Sequence, residues 1–152
     1  MAITLIEDTR NKVGKHKNIA SYCEKCGIQL VRKKLDFGDY MFPDGCISVD
    51  TKQDLDEVCS NLMNRSNRDS IRFWNEIRNA HKNGIRLVIL VEHGGAIKSI
   101  NDVPKWRSRY SQITGRRLID EMIRCEMAYG VRWVFCDNRS TAKKIIEILE
   151  GK

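Results

Sequence analysis

Apolar positions recur along this chain with two spacings, and the switches between them predict the elements. "ITLIED" reads as a short buried strand that ends in acid. "GKHKNIASYCEKCG" reads as a helix with Ile19, Tyr22, Cys23 and Cys26 on one stripe and Gly27 as its stop. "IQLVRKKL" predicts a second strand. Then "DYMF" and "CISVDTK" flank Asp44-Gly45, a two-residue turn signal between strand-like runs. Helical spacing follows over about 54–64 and 70–83. "RLVILVE" is a continuous apolar run of strand length, the pattern of a strand covered on both sides. "SRYSQITGRR" reads as loop. About 116–129 predicts a helix stopped by Gly130, "VRWVFC" another buried strand, and about 140–149 a last helix. Helices alternating with buried strands predict an α/β fold, a mixed central sheet covered on both faces.

The hairpin has a chemical consequence. If the turn sits at Asp44-Gly45, residues whose numbers sum to 89 face each other. Phe42 then opposes Ile47 and Tyr40 opposes Val49, which makes one face apolar. On the other face Asp39 opposes Asp50, and directly opposed Cβ atoms lie about 4.5–5.5 Å apart. Lys52 shares the face of Asp50, because strand side chains alternate with period two. Facing carboxylates burden each other's ionisation. A hard divalent ion such as Mg²⁺ resolves the conflict, since it is bound by one or two carboxylates plus phosphate and water. Asp39 and Asp50 are therefore candidate metal ligands, and Asp8, at the end of the first strand, could supply a third. A lysine beside such a pair can steady developing negative charge or orient a hydroxide. Acid, hairpin, acid-x-Lys thus meets the requirements of phosphodiester hydrolysis.

Composition adds constraints. The 152 residues suit one domain, spanning 1–152, and 41% apolar with 31% charged is a globular balance. The formal charge of +7 favours a polyanionic partner. No apolar run is long enough to span a membrane, and "MAITLIEDTR" lacks the basic start of a leader, so a cytoplasmic chain is expected. The six cysteines include one CxxC, Cys23 and Cys26, without the second pair that a zinc site wants; reduced thiols are expected. "RNKVGKHK" is a basic loop, but it lacks the Gly-Lys-Ser/Thr order of a P-loop, so no nucleotide cofactor is expected.

The stretch "GDYMFPDGCISVDTKQDLD" resembles the GDxₙERKxxxD signature of the ERCC4 (XPF-type) nuclease family. The match runs through Gly38-Asp39, Asp50-Thr51-Lys52 and Asp56. "LIEDTR" resembles that family's first strand with its Asp-x-Arg pair, here Asp8 and Arg10, and "CGIQLVRKKLDFGDY" and "RLVILVE" resemble its next core strands. The resemblance covers roughly residues 3–92 and is nearest to short stand-alone members from bacteria and phages. It implies a restriction-endonuclease-like (PD-(D/E)xK) fold and Mg²⁺- or Mn²⁺-dependent cleavage of DNA, often at flaps, forks or junctions. It implies catalytic roles for Asp39, Asp50, Lys52, Asp8, Arg10 and Asp56, and it raises the prospect of a homodimer. Two positions depart from the signature: Asp50 stands in place of Glu and Thr51 in place of Arg. Asp50 keeps the ligand chemistry on a shorter arm; Thr51 should point away from Asp50 and Lys52 and affect support more than catalysis. The family's tandem helix-hairpin-helix domain is absent from the sequence.

Other charged residues have two readings each. Arg10 can clamp phosphate bidentately or form a surface ion pair. Glu7 should point away from Asp8. Asp56 can assist the site or serve as a helix N-terminal acid, and Asp54 reads as a plain cap. In "IRFWNEI", Phe73 and Ile77 read as core, while Arg72 could reach phosphate. Glu92 reads as a strand-ending charge. "KWRSRYSQITGRR" carries five basic residues and no acid. It predicts a DNA-contacting loop in which Lys105, Arg107, Arg109, Arg116 and Arg117 meet phosphates and Trp106 stacks on bases. His16, His81 and His93 are scattered and are expected at the surface. A metal-dependent DNA endonuclease is the leading reading. A DNA-binding partner module and a sequence-specific restriction-type enzyme on the same fold are the rivals.

Overall fold

A computed structural model of the chain describes residues 3–14 and 18–152. A six-stranded mixed sheet organises it: β1 (Ile3–Glu7), β2 (Ile28–Arg32), β3 (Tyr40–Met41), β4 (Ile47–Lys52), β5 (Arg86–Val91) and β6 (Arg132–Phe135), in the spatial order β2-β1-β3-β4-β5-β6. β1 runs parallel to β2, β4 to β5 and β5 to β6, while the short β3 lies antiparallel between β1 and β4. The carboxyl ends of β1, β4 and β5 therefore share one edge of the sheet with the amino end of β3.

Helices cover both faces. α1 (Ile19–Lys25) and α5 (Thr141–Leu149) pack on one, over Leu5, Tyr40, Val49, Val88 and Leu90. α2 (Leu55–Met63), α3 (Arg68–Lys82) and α4 (Gly115–Tyr129) pack on the other, over Leu87, Ile89 and Val91. β5 is apolar throughout its inner length because both of its faces are covered. The helix starts are locally encoded: Asp54 accepts the Glu57 N–H at 2.9 Å, Asn67 the Asp69 N–H at 2.8 Å and Thr114 the Arg117 N–H at 3.2 Å. Asp54 is thus the cap expected of it. α4 ends on Gly130, whose φ of 68° is the left-handed conformation of a C-terminal stop. Among the described residues no helix is long and apolar enough to cross a membrane.

The expected elements form, with three differences. Cys26 does not join the buried stripe of α1; Ile19 and Cys23 are buried, but Cys26 is the exposed C-cap. A 3₁₀ turn, Ile100–Lys105, occupies a stretch with no helical expectation. The hairpin bend is the third. The Gly45 N–H donates to the Phe42 carbonyl at 3.1 Å, so the tight turn is Phe42-Pro43-Asp44-Gly45, with Asp44 at a φ of 58°. Pro43 presets the second position of such a turn and an Asp tolerates positive φ at the third. The register nevertheless agrees with expectation: Tyr40 opposes Val49 and Met41 opposes Ser48. His16, expected at the surface, and the basic pair Lys15 and Lys17 lie outside the described residues.

Candidate active site

Three acids line up where β1, β3 and β4 meet. The Asp8 N–H donates to the Asp39 carbonyl at 2.8 Å, and the Asp39 N–H to the Val49 carbonyl at 2.7 Å, which sets Asp39 between Asp8 and Asp50. Gly38 makes this approach possible. Its φ is 69°, and a Cβ there would lie 2.1 Å from Ser48 Oγ and 2.9 Å from the Val49 carbonyl oxygen. No other residue fits without moving β4.

Asp39 and Asp50 are 8% and 7% exposed, and their carboxyls lie within hydrogen-bonding reach of one another. Asp39 Oδ2 accepts both the Thr51 N–H and the Thr51 hydroxyl, each at 2.8 Å. Thr51 thus supports the site by orienting Asp39. Lys52 Nζ stands 3.2 Å from Asp50 Oδ2 and 4.6 Å from the centre of the Phe73 ring, which fixes the ammonium over an aromatic face. Phe73 and Ile77 are buried in the core beneath.

Glu76 is the participant that sequence reasoning missed. It reaches in from α3 and accepts the Gly38 N–H through Oε1 at 3.0 Å. Its position one turn after Arg72, on the face shared with Phe73, was the available signal. Burial pushes the Asp50 carboxyl well above the usual range; Lys52 opposes this, and Asp39 and Glu76 add to it. Burial likewise raises Glu76, against the Gly38 N–H and Lys52, with Asp39 again adding. Burial works against the Lys52 ammonium, yet Asp50 and Glu57 outweigh it and hold its pKa above the ordinary value. Among the described residues one ammonium, with the Arg10 guanidinium acting on Glu76 besides, therefore faces three crowded carboxyls, a balance that a divalent cation corrects. The donors are all hard oxygens, as Mg²⁺ or Mn²⁺ requires. Among the described residues no three acidic, histidine or cysteine side chains form a ready-made cage, but Mg²⁺ needs only one or two carboxylates when water and phosphate complete its shell.

The structure does not assemble the three-aspartate ligand set. Asp8 is buried, but its Oδ2 takes Arg10 Nε at 2.7 Å and its Oδ1 the Leu35 N–H at 2.9 Å. Arg10 also donates to the Leu35 carbonyl at 2.6 Å, and its side chain stays 54% exposed beside the acids. Glu7 points to the other face, as expected, held by the Tyr40 hydroxyl at 2.6 Å and by Arg32. Asp56 turns away from Asp50 toward the basic segment, where its Oδ1 accepts the Ser108 hydroxyl at 2.9 Å.

That segment divides. Lys105, Arg107, Arg109, Arg116 and Arg117 are exposed, as are Arg72 on α3 and Tyr110. Trp106 corrects the expectation of a base-stacking ring: it is 5% exposed and belongs to the core with Val103 and Leu118. The 3₁₀ turn folds back so that the Trp106 N–H reaches the Val103 carbonyl at 2.9 Å, which drives the indole inward. His93 is no surface bystander either, since its Nδ1 accepts the Leu55 N–H at 3.0 Å and caps α2. The Glu92 carboxylate accepts the Thr141 hydroxyl and lines a cavity at the far side of β4.

Comparison with known proteins places this geometry. The model of the ERCC4 domain family matches residues 8–149. No curated protein matches the sequence. Among solved structures, XPF from Aeropyrum pernix superimposes with a TM-score of 0.68 at 23% identity, covering 97% of this chain and 63% of that one. The same protein in complex with DNA gives a TM-score of 0.66 at 23% identity, covering 97% and 64%. The chain thus spans less than two thirds of the length of either. The likeness bears out the restriction-endonuclease-like arrangement of a mixed sheet flanked by helices.

Proposed function

Because the chain belongs to the ERCC4 domain family, we propose that it is a metal-dependent nuclease that hydrolyses phosphodiester bonds within DNA, at flaps, forks or junctions. The observation that carries this reading is the buried Asp39–Asp50 pair beside Lys52, with one ammonium for three carboxyls. The complex of the similar Aeropyrum pernix protein with DNA supports the substrate class.

Asp39 and Asp50 would hold Mg²⁺ or Mn²⁺, with Glu76 beside them. When bound there, a divalent ion would supply a Lewis acid for the phosphoryl oxygen and would lower the pKa of a water. Thr51 fixes which oxygen of Asp39 faces inward by donating twice to the other. Lys52 stays protonated next to Asp50 and steadies the negative charge that develops on the phosphoryl oxygens. Arg10, anchored by Asp8 and by the Leu35 carbonyl, keeps its guanidinium half in water, where it meets the incoming phosphate. The exposed cations of the 105–117 segment and Arg72 give sequence-independent affinity for the strand.

The test is a panel of end-labelled flap, fork, four-way junction, nicked and plain duplex DNA, incubated with Mg²⁺, Mn²⁺ or EDTA. Metal-dependent nicking of branched substrates is expected. Binding without nicking in any metal would make the chain a DNA-binding module, and cutting of plain duplex at one short sequence would make it a restriction-type enzyme.

A further inference from the structure

A cavity of about 510 Å³ opens at the carboxyl ends of β4 and β5, between α1 and α5 of one sheet face and the start of α2 on the other. That volume lies within the roughly 300–1,000 Å³ range of small-molecule sites. Its floor is apolar, formed by Ile19 of α1 and Ala142 of α5, both 4% exposed. Its rim is polar and mixed: the amides of Gln53 and Asn138, the Arg139 guanidinium and the Glu92 carboxylate. Thr51 forms the wall nearest the acids, and it is the residue that holds Asp39 Oδ2.

This chemistry selects among ligands. Among the described residues, Glu57 and Glu92 line the cavity against Arg139, so a phosphate would meet more negative charge than positive from them. A flat, uncharged ring with donors and acceptors on its edge suits both floor and rim. Asn and Gln amides pair with such edges bidentately, a carboxylate accepts from exocyclic amino groups, and every base has an apolar face. On the reading of the chain as a DNA nuclease, which this inference rests on, we propose that the cavity receives one unpaired nucleobase next to the scissile phosphate. A base that is already unpaired costs least to place there.

The test uses the whole chain with Ca²⁺ in place of Mg²⁺, to hold DNA without turnover, and fork DNA carrying 2-aminopurine at successive positions about the cut. One position should brighten on binding, as the base leaves its stack. Asn138→Ala alters an exposed rim residue and should weaken fork binding about tenfold, while removing the base at that position should abolish the difference between variant and wild type. No brightening at any position overturns the proposal, as does an Asn138→Ala defect that persists unchanged on the abasic fork. If the wild type cuts DNA with Mg²⁺ yet shows either result, the nuclease reading stands and the base cavity alone falls. If DNA is not bound at all, both fall.

Discussion

The hairpin from Gly38 to Lys52 and the segment from Lys105 to Arg117 are both rich in charge, and they fold in opposite ways. In the first, the charged side chains away from the bend go inside: Asp39 and Asp50 are nearly buried, and Lys52 lies over Phe73. In the second, the cations stay in water and the aromatic Trp106 goes inside. Buried charge is costly unless paired or bound to a metal, so its presence in the hairpin marks a task. Exposed cations cost little and act collectively. The two regions meet through Asp56, in the first turn of α2, whose carboxylate accepts the Ser108 hydroxyl; the Ser108 Oγ in turn accepts the N–H groups of Tyr110 and Ser111 at 3.1 Å.

The largest effect expected from breaking this contrast is on folding. Trp106→Ala should lower stability by about 3–5 kcal/mol, as large-to-small changes in cores do, whereas Tyr110→Ala should leave the melting temperature unchanged and weaken DNA binding. Equal melting temperatures for the two variants would return Trp106 to the DNA surface. In the hairpin, Lys52→Ala should bind DNA and cut it about 10²–10³-fold more slowly, the loss that follows removal of one charge-stabilising donor. A normal cutting rate would remove the lysine from the mechanism. Gly38→Ala should cost about 2–3 kcal/mol, since its Cβ meets β4 at a positive φ, and it should also slow cutting by displacing Asp39.

A pH titration sharpens the same contrast. The Asp50 and Glu76 carboxyls are raised in the folded chain, so between the ordinary carboxylate range and the raised values the folded state binds more protons than the unfolded one. Metal-free stability must then fall as pH rises through that window. Added Mg²⁺ should restore it by binding the ionised form, and Asp50→Asn should flatten both responses in thermal melts. A melting temperature indifferent to Mg²⁺ at neutral pH would count against the acid pair as a metal site. Ser108→Ala gives the smallest effect. It should raise the KM for DNA about fivefold, the equivalent of one hydrogen bond, with kcat kept; a fall in kcat alone would place Asp56 in the chemistry instead.

The acid face was legible because strand alternation has a fixed period. Tyr40 opposite Val49 carries Asp39 to Asp50 whatever the turn, and the expected register held although the bend proved to be Phe42–Gly45. The apolar run of β5 and the cap at Asp54 were legible for the same reason: local chemistry decides them. Glu76 was not, because its approach to Gly38 depends on how α3 crosses the sheet. Nor was Trp106, in a segment whose composition is polar. Its burial depends on Gly115, where a Cβ would lie 2.0 Å from the Val103 carbonyl oxygen, letting α4 begin against the 3₁₀ turn. Asp8 sits where its strand predicted, but the Leu35 N–H that occupies it comes from the chain just beyond β2, the neighbouring strand.

The bend at Pro43-Asp44 lies at the edge of the sheet remote from the acids, and both residues are exposed, as is the nearby Cys46. Whatever is attached there is carried by β3 and β4 without entering the acid cluster at their other ends. A short affinity peptide spliced into the bend, or a maleimide dye on Cys46 once Cys26, the other exposed cysteine, is replaced by serine, would therefore report on DNA binding while leaving the acid cluster untouched.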